Sequence, residues 1–538
     1  MHLREFIVAA ILTSAAYALP AFAQVEVEQL GTASAYDTDL LGAGQIGLDS
    51  SLWQGTSAAR AARLIENIKP TPSETADQFV RAALYSGGVP PQAASISERE
   101  TYIAAKLGAL LRRGNLSAFD KLVEQMSLRR SAPVYHKLFV DRALMGGETL
   151  EACTQADMQT VERKAPYWAK LRAFCHYVRE ENAAAELTLD LLKRSKHKDD
   201  GFYAFLDYLL FPKKTNFKTG IVQTPLHIAM ARLIVDKQQI SHAALPPTLQ
   251  AGIALNAEQD MDVRLSAFTA SARILSPQQT RDILTSFAAA PVKNADALLT
   301  TKIWSAAQWG QAYNALQSSQ DMQGRAVFAH ALLLRANEQG VFAPIADLLA
   351  QDISIIPANL QAAQDPLLFT RIAVKNRDLN ALRGLYEAVP EDDIRRTRIA
   401  LAADAIGGGF LLGELGIDIE TRLDSKGERQ RRAIRDTYIA VALGANLSDK
   451  AEQKLSAATP LKGKSINSAD LLALRAAANQ GAKAETALRS AAIIADIPIF
   501  ELSPDSFASL LFALREAGLN DFAGQLAAQD FLSPPAQK

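Results

Sequence analysis

LEACTQADMQTVERKAPYWAKLRAFCHYVREENAAAELTLDLL, residues 150–192, holds both cysteines of the chain, Cys153 and Cys175, and displays a unit that the rest repeats. Trp168, Leu171, Cys175 and Val178 recur at helical spacing behind Pro166, a residue suited to the first turn of a helix, where a backbone N–H would go unbonded anyway. The polar pair Glu181-Asn182 interrupts this stripe and a second apolar stripe follows. If the chain reverses near Lys164-Ala165, the cysteines stand eleven residues either side of Lys164, at matching heights on antiparallel helices, with Cys175 facing the partner helix. A disulfide between Cys153 and Cys175 is expected. Closing a loop of this size stabilises by about 3 kcal/mol through the unfolded chain, and the bond needs an oxidising compartment. The sequence has no C-x-x-C motif, and His176 points about 100° away from Cys175 on a helix. Redox catalysis is therefore not indicated.

Working outward, the same helix-turn-helix pattern surrounds Gly114-Asn115, Asn376-Arg377-Asp378, Gly444-Ala445-Asn446, Gln480-Gly481 and Gly518-Leu519-Asn520. Gly114 to Asn182 spans 68 residues, Arg377 to Ala445 another 68, Ala445 to Gly481 36 and Gly481 to Gly518 37. These are single or double steps of a unit of about 34 residues. The spacing and the fragments Tyr102…Leu107-Gly108 and Trp168…Leu171 resemble the tetratricopeptide-type α-solenoids, over most of residues 51–530. The resemblance implies stacked antiparallel helical hairpins that bind partners along a continuous face. The composition agrees with an all-α chain, since nearly half the residues are apolar but only 7% are aromatic, and Ala and Leu dominate.

The amino terminus reads as an export signal. Arg4 precedes an apolar run from Phe6 to Leu19, and Ala21-Phe22-Ala23 is an A-x-A cleavage site. The run is shorter than the roughly 20 residues a bilayer needs. The expected organisation is a signal peptide at 1–23, cleaved after Ala23, and a poorly ordered, Gly- and acid-rich arm at 24–50. A first helical array (51–212) is followed by a basic linker (213–225), a middle array (226–412), a connecting loop (413–431), a third array (432–530) and a tail (531–538). The protein is expected to be periplasmic or secreted.

Lys and Arg number 57 against 58 Asp and Glu, so no overall field draws the chain to nucleic acid or to an anionic membrane. The mature histidines, at 136, 176, 197, 227, 242 and 330, offer no pair at helical metal-ligand spacing. Ser195-x-x-Lys198, Lys218-Thr219-Gly220 and Ser465-Ile466-Asn467 match the three motifs of penicillin-recognising enzymes, but in the wrong order and at impossible spacing. Gly407 to Gly413 lacks the Lys-Ser/Thr of a phosphate loop and reads as a bend. No Glu is followed by Ser, so the catalytic pair of lytic transglycosylases is absent as well. No catalytic, cofactor-binding or metal role is assigned. The expected function is an exported, non-catalytic scaffold for a protein, a peptide or a cell-wall polymer, with Trp53, Trp304 and Trp309 as expected surface contacts. The competing expectation is an envelope hydrolase whose site is assembled from residues distant in sequence.

Overall fold

At eight turns among the described residues, the chain leaves one helix and enters the next in the same way. Asn115, Glu148, Glu181, Val341, Asp378, Ala445, Ala482 and Leu519 each donate a backbone N–H to the carbonyl five residues earlier, at 2.8–3.0 Å. The residue before each donor has positive φ: Gly114, Gly147, Glu180, Gly340, Arg377, Gly444, Gly481 and Gly518. This left-handed cap occupies the helix carbonyls that have no intrahelical partner and turns the chain through a few residues. The left-handed positions 114, 147 and 180 lie 33 residues apart, and 444, 481 and 518 lie 37 apart. Six of these turns coincide with those expected from sequence. Gly147 and Gly340 mark two more.

Glu180 and Arg377 occupy the left-handed region with a side chain, at φ 63° and 54°. That conformation costs an L-residue roughly 1–2 kcal/mol, partly offset by the entropy that a glycine would lose. Glu180→Gly is therefore expected to raise stability by about 0.5–1 kcal/mol, read as a higher urea midpoint. An unchanged or lower midpoint would show that the cap is not strained.

The computed structural model describes residues 39–41, 47–69, 73–125, 133–159, 162–195, 197–213, 217, 220–235, 245–287, 298, 300–409, 421–459 and 461–533. The expected signal peptide at 1–23 and its cleavage site, arm residues 24–38 and most of the tail lie outside them, as do parts of the 213–225 linker and of the 413–431 loop. All the described residues belong to one compact unit. They are all-α, with no strand and two isolated bridges, Ser57 with Gln92 and Lys464 with Leu502. Helix pairs follow in series: Ile96–Arg112 with Leu116–Glu124, Pro133–Gly146 with Thr149–Met158, and Pro166–Val178 with Asn182–Arg194. The last pairs are Ser468–Asn479 with Lys483–Asp496 and Pro504–Glu516 with Asn520–Leu532, and Glu428–Ala442 packs along Pro504–Glu516.

The disulfide forms as expected. Cys153, on Thr149–Met158, and Cys175, on Pro166–Val178, are bonded across the first of the two turns in residues 150–192, with their Cα atoms 5.5 Å apart. Both sulfurs lie in the core.

Two sets of contacts depart from simple stacking. Pro225–Val235 returns to Pro133–Gly146, where Arg232 donates to the Met145 carbonyl at 2.7 Å. More consequentially, the first helices meet the last. Glu74–Tyr85 lies along Lys483–Asp496, and its Phe79 stacks edge-on against Phe522 with ring centroids 5.2 Å apart. Ala484 donates its N–H to the Leu52 carbonyl at 2.8 Å, Thr56 donates its hydroxyl to the buried Glu485 at 3.0 Å, and Lys69 pairs with Asp496 at 2.9 Å. Lys483 pairs with Asp49, and Thr75 bonds Gln529. The same helix also reaches Lys375 through Glu74 (3.4 Å), the Arg273 carbonyl through Arg81 (3.2 Å), and Arg113 through Asp77. Glu74–Tyr85 is thus tied to helices from the beginning, middle and end of the chain.

Near the carboxyl end, Asp436 and Asp530 are buried and answered by arginines. Arg435 bonds the Asp530 carboxylate at 2.6 Å and the Leu502 and Ile499 carbonyls at 2.7 Å. Arg432 approaches Asp436 at 2.9 Å and Asp530 at 3.1 Å, while Arg422 also pairs with Asp436. A buried charge persists only when paired and bonded in this way. The cluster fixes the packing of the last helices.

Candidate functional site

The three tryptophans expected at the surface are core residues. Trp53, Trp304 and Trp309 are 3%, 1% and 0% exposed. Trp304 meets Trp309 edge-on at 5.4 Å and donates its indole N–H to the Leu298 carbonyl at 3.1 Å, and Trp53 meets Tyr102 at 5.7 Å. In a chain whose helices are largely Ala and Leu, a large ring fills space that small side chains leave between helices. Its apolar area therefore goes inward.

His227 and Asp199 form a buried pair that resembles half of a hydrolytic triad, with Nε2 of His227 2.9 Å from Oδ1 of Asp199. Its surroundings make it structural. The Gln223 backbone N–H donates to Nδ1 at 3.2 Å, so both ring nitrogens are engaged and none is left to activate a nucleophile. Asp199 also caps Asp200–Leu210 through the Phe202 N–H at 3.0 Å and pairs with Lys170. Burial pushes the Asp199 carboxyl up, but the bonds from His227, Lys170 and Phe202 outweigh it and hold the group well below the usual carboxylate range. A depressed carboxyl contributes stability at neutral pH that is lost as pH falls through the folded value.

Among the described residues no group of three or more His, Cys, Asp and Glu side chains converges as metal ligands would. No described helix is long and apolar enough to cross a membrane. Gly407 and Gly409 have positive φ in the bend after Ile394–Ala405, and residues 410–413 lie outside the described region.

Two depressions are lined by polar groups. The first is a groove of about 470 Å³ across three neighbouring helices. Arg281 and Thr285 come from Pro277–Ser286, Tyr313, Asn314 and Gln317 from Ala306–Ser318, and Leu348, Gln351 and Asp352 from Phe342–Ser354. On each helix the lining residues stand one turn apart, so three stripes face one space. Gln317 donates to Asp352 at 2.9 Å, and Arg325 stands 3.8 Å from the same carboxylate. Burial raises the pKa of the Tyr313 hydroxyl, Arg281 opposes the shift, and Asp352 adds to it. Side-chain amides with one cation and one carboxylate offer both donors and acceptors, the complement of a peptide backbone or a polyhydroxylated chain.

The second depression, of about 730 Å³, opens between the arm residues Asp39, Leu41 and Gly47–Ser50 and the turn Ser86–Val89. Leu40 donates to the Tyr85 carbonyl at 2.7 Å, Leu48 to the Ser86 hydroxyl at 2.8 Å, and Val89 to the Ser50 carbonyl at 2.8 Å. The described part of the arm is therefore docked. Gly88 is held so close to Ser50 that an added Cβ would lie 2.6 Å from its carbonyl oxygen. Neither depression was anticipated from sequence, because each joins residues from separate segments.

Comparison with known protein families, with characterised proteins and with solved structures finds no match.

Proposed function

We propose that this chain is an exported, non-catalytic interaction scaffold that holds a protein, a peptide or a cell-wall polymer on its helical surface. The groove lined by Arg281, Tyr313, Gln351 and Asp352 carries the reading, because it is an open recess with donors and acceptors on three adjacent helices. Export is supported by the amino-terminal sequence and by the disulfide, a bond that persists in oxidising compartments. A hydrolase needs a nucleophile or an activated water beside a free base. The buried Asp199–His227 pair offers neither.

The mature protein, cross-linked and recovered from its native envelope fraction, is expected to retain one stoichiometric partner or the wall polymer. The surface variant Arg281→Ala/Gln351→Ala should lose at least tenfold of that retention. Its unfolding should change by less than about 0.5 kcal/mol, since both side chains are exposed. Retention untouched by the double variant would remove the groove from the reading. Turnover of an envelope substrate by the wild-type protein would replace the scaffold with an enzyme.

A further inference from the structure

Asn182–Arg194 carries two apolar stripes, and only one of them is covered. Ala185, Leu189 and Leu192 are buried, and this face packs on Pro166–Val178. On the opposite face Leu187 and Leu191 are 63% and 57% exposed, and they belong to the series Ala184, Leu187, Leu191 and Arg194. Steps of three, four and three residues hold one line along a helix and form the seam of a helix pair. A single exposed leucine is ordinary. Two of them one turn apart, on a helix whose inner face is already filled, leave a second surface without a partner.

The line runs off both ends of the helix into charge. Glu180 stands four residues before Ala184, and Lys198 four residues after Arg194, with His197 beside it. The side chains of Glu180, Arg194 and Lys198 are exposed and make no hydrogen bond or ion pair among the described residues. Their neighbours are engaged, since Glu181 pairs with His176 and Lys193 with Asp207. An acid at the amino end, leucines in the middle and cations at the carboxyl end make a face that complements itself when turned end for end.

We propose that this face docks a second copy of the chain, with Asn182–Arg194 lying antiparallel to its own counterpart across a two-fold axis between Leu187 and Leu191. Each Leu187 then packs on Leu191 of the second copy and each Ala184 on the stem of Arg194, while Glu180 faces the Arg194 and Lys198 end. The small Ala184 leaves room for the arginine stem to lie along the seam. A parallel arrangement would set acid against acid and cation against cation. An anionic lipid surface is a poorer fit, because Glu180 and the exposed Asp190 would be brought to it beside the cations. A helix of 13 residues is about 20 Å long, so the contact is at the small end of specific interfaces. The dissociation constant is expected on the order of 10 µM. At high dilution the seam faces water.

Sedimentation of the mature protein from about 1 to 200 µM brackets that value. The wild type is expected to pass reversibly from monomer to dimer, and the dimer to weaken in high salt. Leu187→Glu places two acids beside the axis and should weaken association at least tenfold. Glu180→Lys alone, and Arg194→Glu/Lys198→Glu alone, should each repel its own copy and stay monomeric. An equimolar mixture of these two should dimerise again, because each chain offers the charge the other lacks. Misfolding of a variant cannot produce that rescue. A wild type monomeric throughout, a dimer indifferent to Leu187→Glu, charge variants that dimerise alone as the wild type does, or a mixture that stays monomeric would each overturn the proposal. A monomeric wild type that instead binds anionic vesicles through Leu187 would give the face to a lipid surface.

Discussion

Phe79→Ala is expected to cost about 3–5 kcal/mol, the range for emptying a buried aromatic site. Phe79 is fully buried, meets Phe522 edge-on, and sits on the helix that joins the first segment of the chain to the last. How much of a cavity's penalty survives depends on whether the walls can close. Here they are held apart: Thr75 is bonded to Gln529, Asp77 to Arg113, and Glu74 to Lys375. The loss should therefore fall toward the upper end. It should also broaden the urea transition, because helices from opposite ends of the chain would unfold with less regard for one another. Leu187→Ala, at a position 63% exposed, is the control and should shift stability by less than about 0.5 kcal/mol. A loss below about 1 kcal/mol in Phe79→Ala, with an unchanged transition width, would mean that the ends are not energetically joined.

Cys153→Ala/Cys175→Ala is expected to cost about 3 kcal/mol, from a bond between residues 22 positions apart. The stabilisation acts mainly by limiting the unfolded chain, so it should show as a lower urea midpoint. Reductant added to the wild-type protein should reproduce the shift, and added to the variant it should do nothing. Because both sulfurs are buried, reduction has to await local opening and should be slow in the absence of urea. A variant as stable as the wild type would show that the helices hold the turn without covalent help.

Several of these features were legible in the sequence, and the reason is local. A left-handed cap is announced by a short polar turn between two apolar stripes, and the cysteines could be matched by counting residues from a turn. Gly147 and Gly340 were less visible because neither is followed by an Asn or Asp that would start the next helix, as Asn115, Asp378 and Asn520 do at other turns. Gly147 is followed by Glu148-Thr149 and Gly340 by Val341-Phe342. The tryptophans misled because an aromatic in a sequence of small residues looks like a contact, whereas packing density makes it a space-filler. The burial of Lys106 could have been foreseen. In YIAAKLGALL, a lysine stands where the stripe Tyr102, Ile103, Ala109 and Leu110 calls for an apolar residue. The groove was not legible, because three helices contribute to it and nothing in a helix's exposed polar face says which neighbour it shares.

The meeting of the chain's two ends also sets an order in time. Thr56 and Glu485 are bonded across a separation of 429 residues, so Glu74–Tyr85 is among the first helices made and among the last to find its full set of neighbours. At a synthesis rate of about 5–20 residues per second, that wait is on the order of 20–80 s. During it, the apolar face that Phe79 anchors is without the last helices. The folding of this chain is thus timed by its last fifty residues rather than by its first.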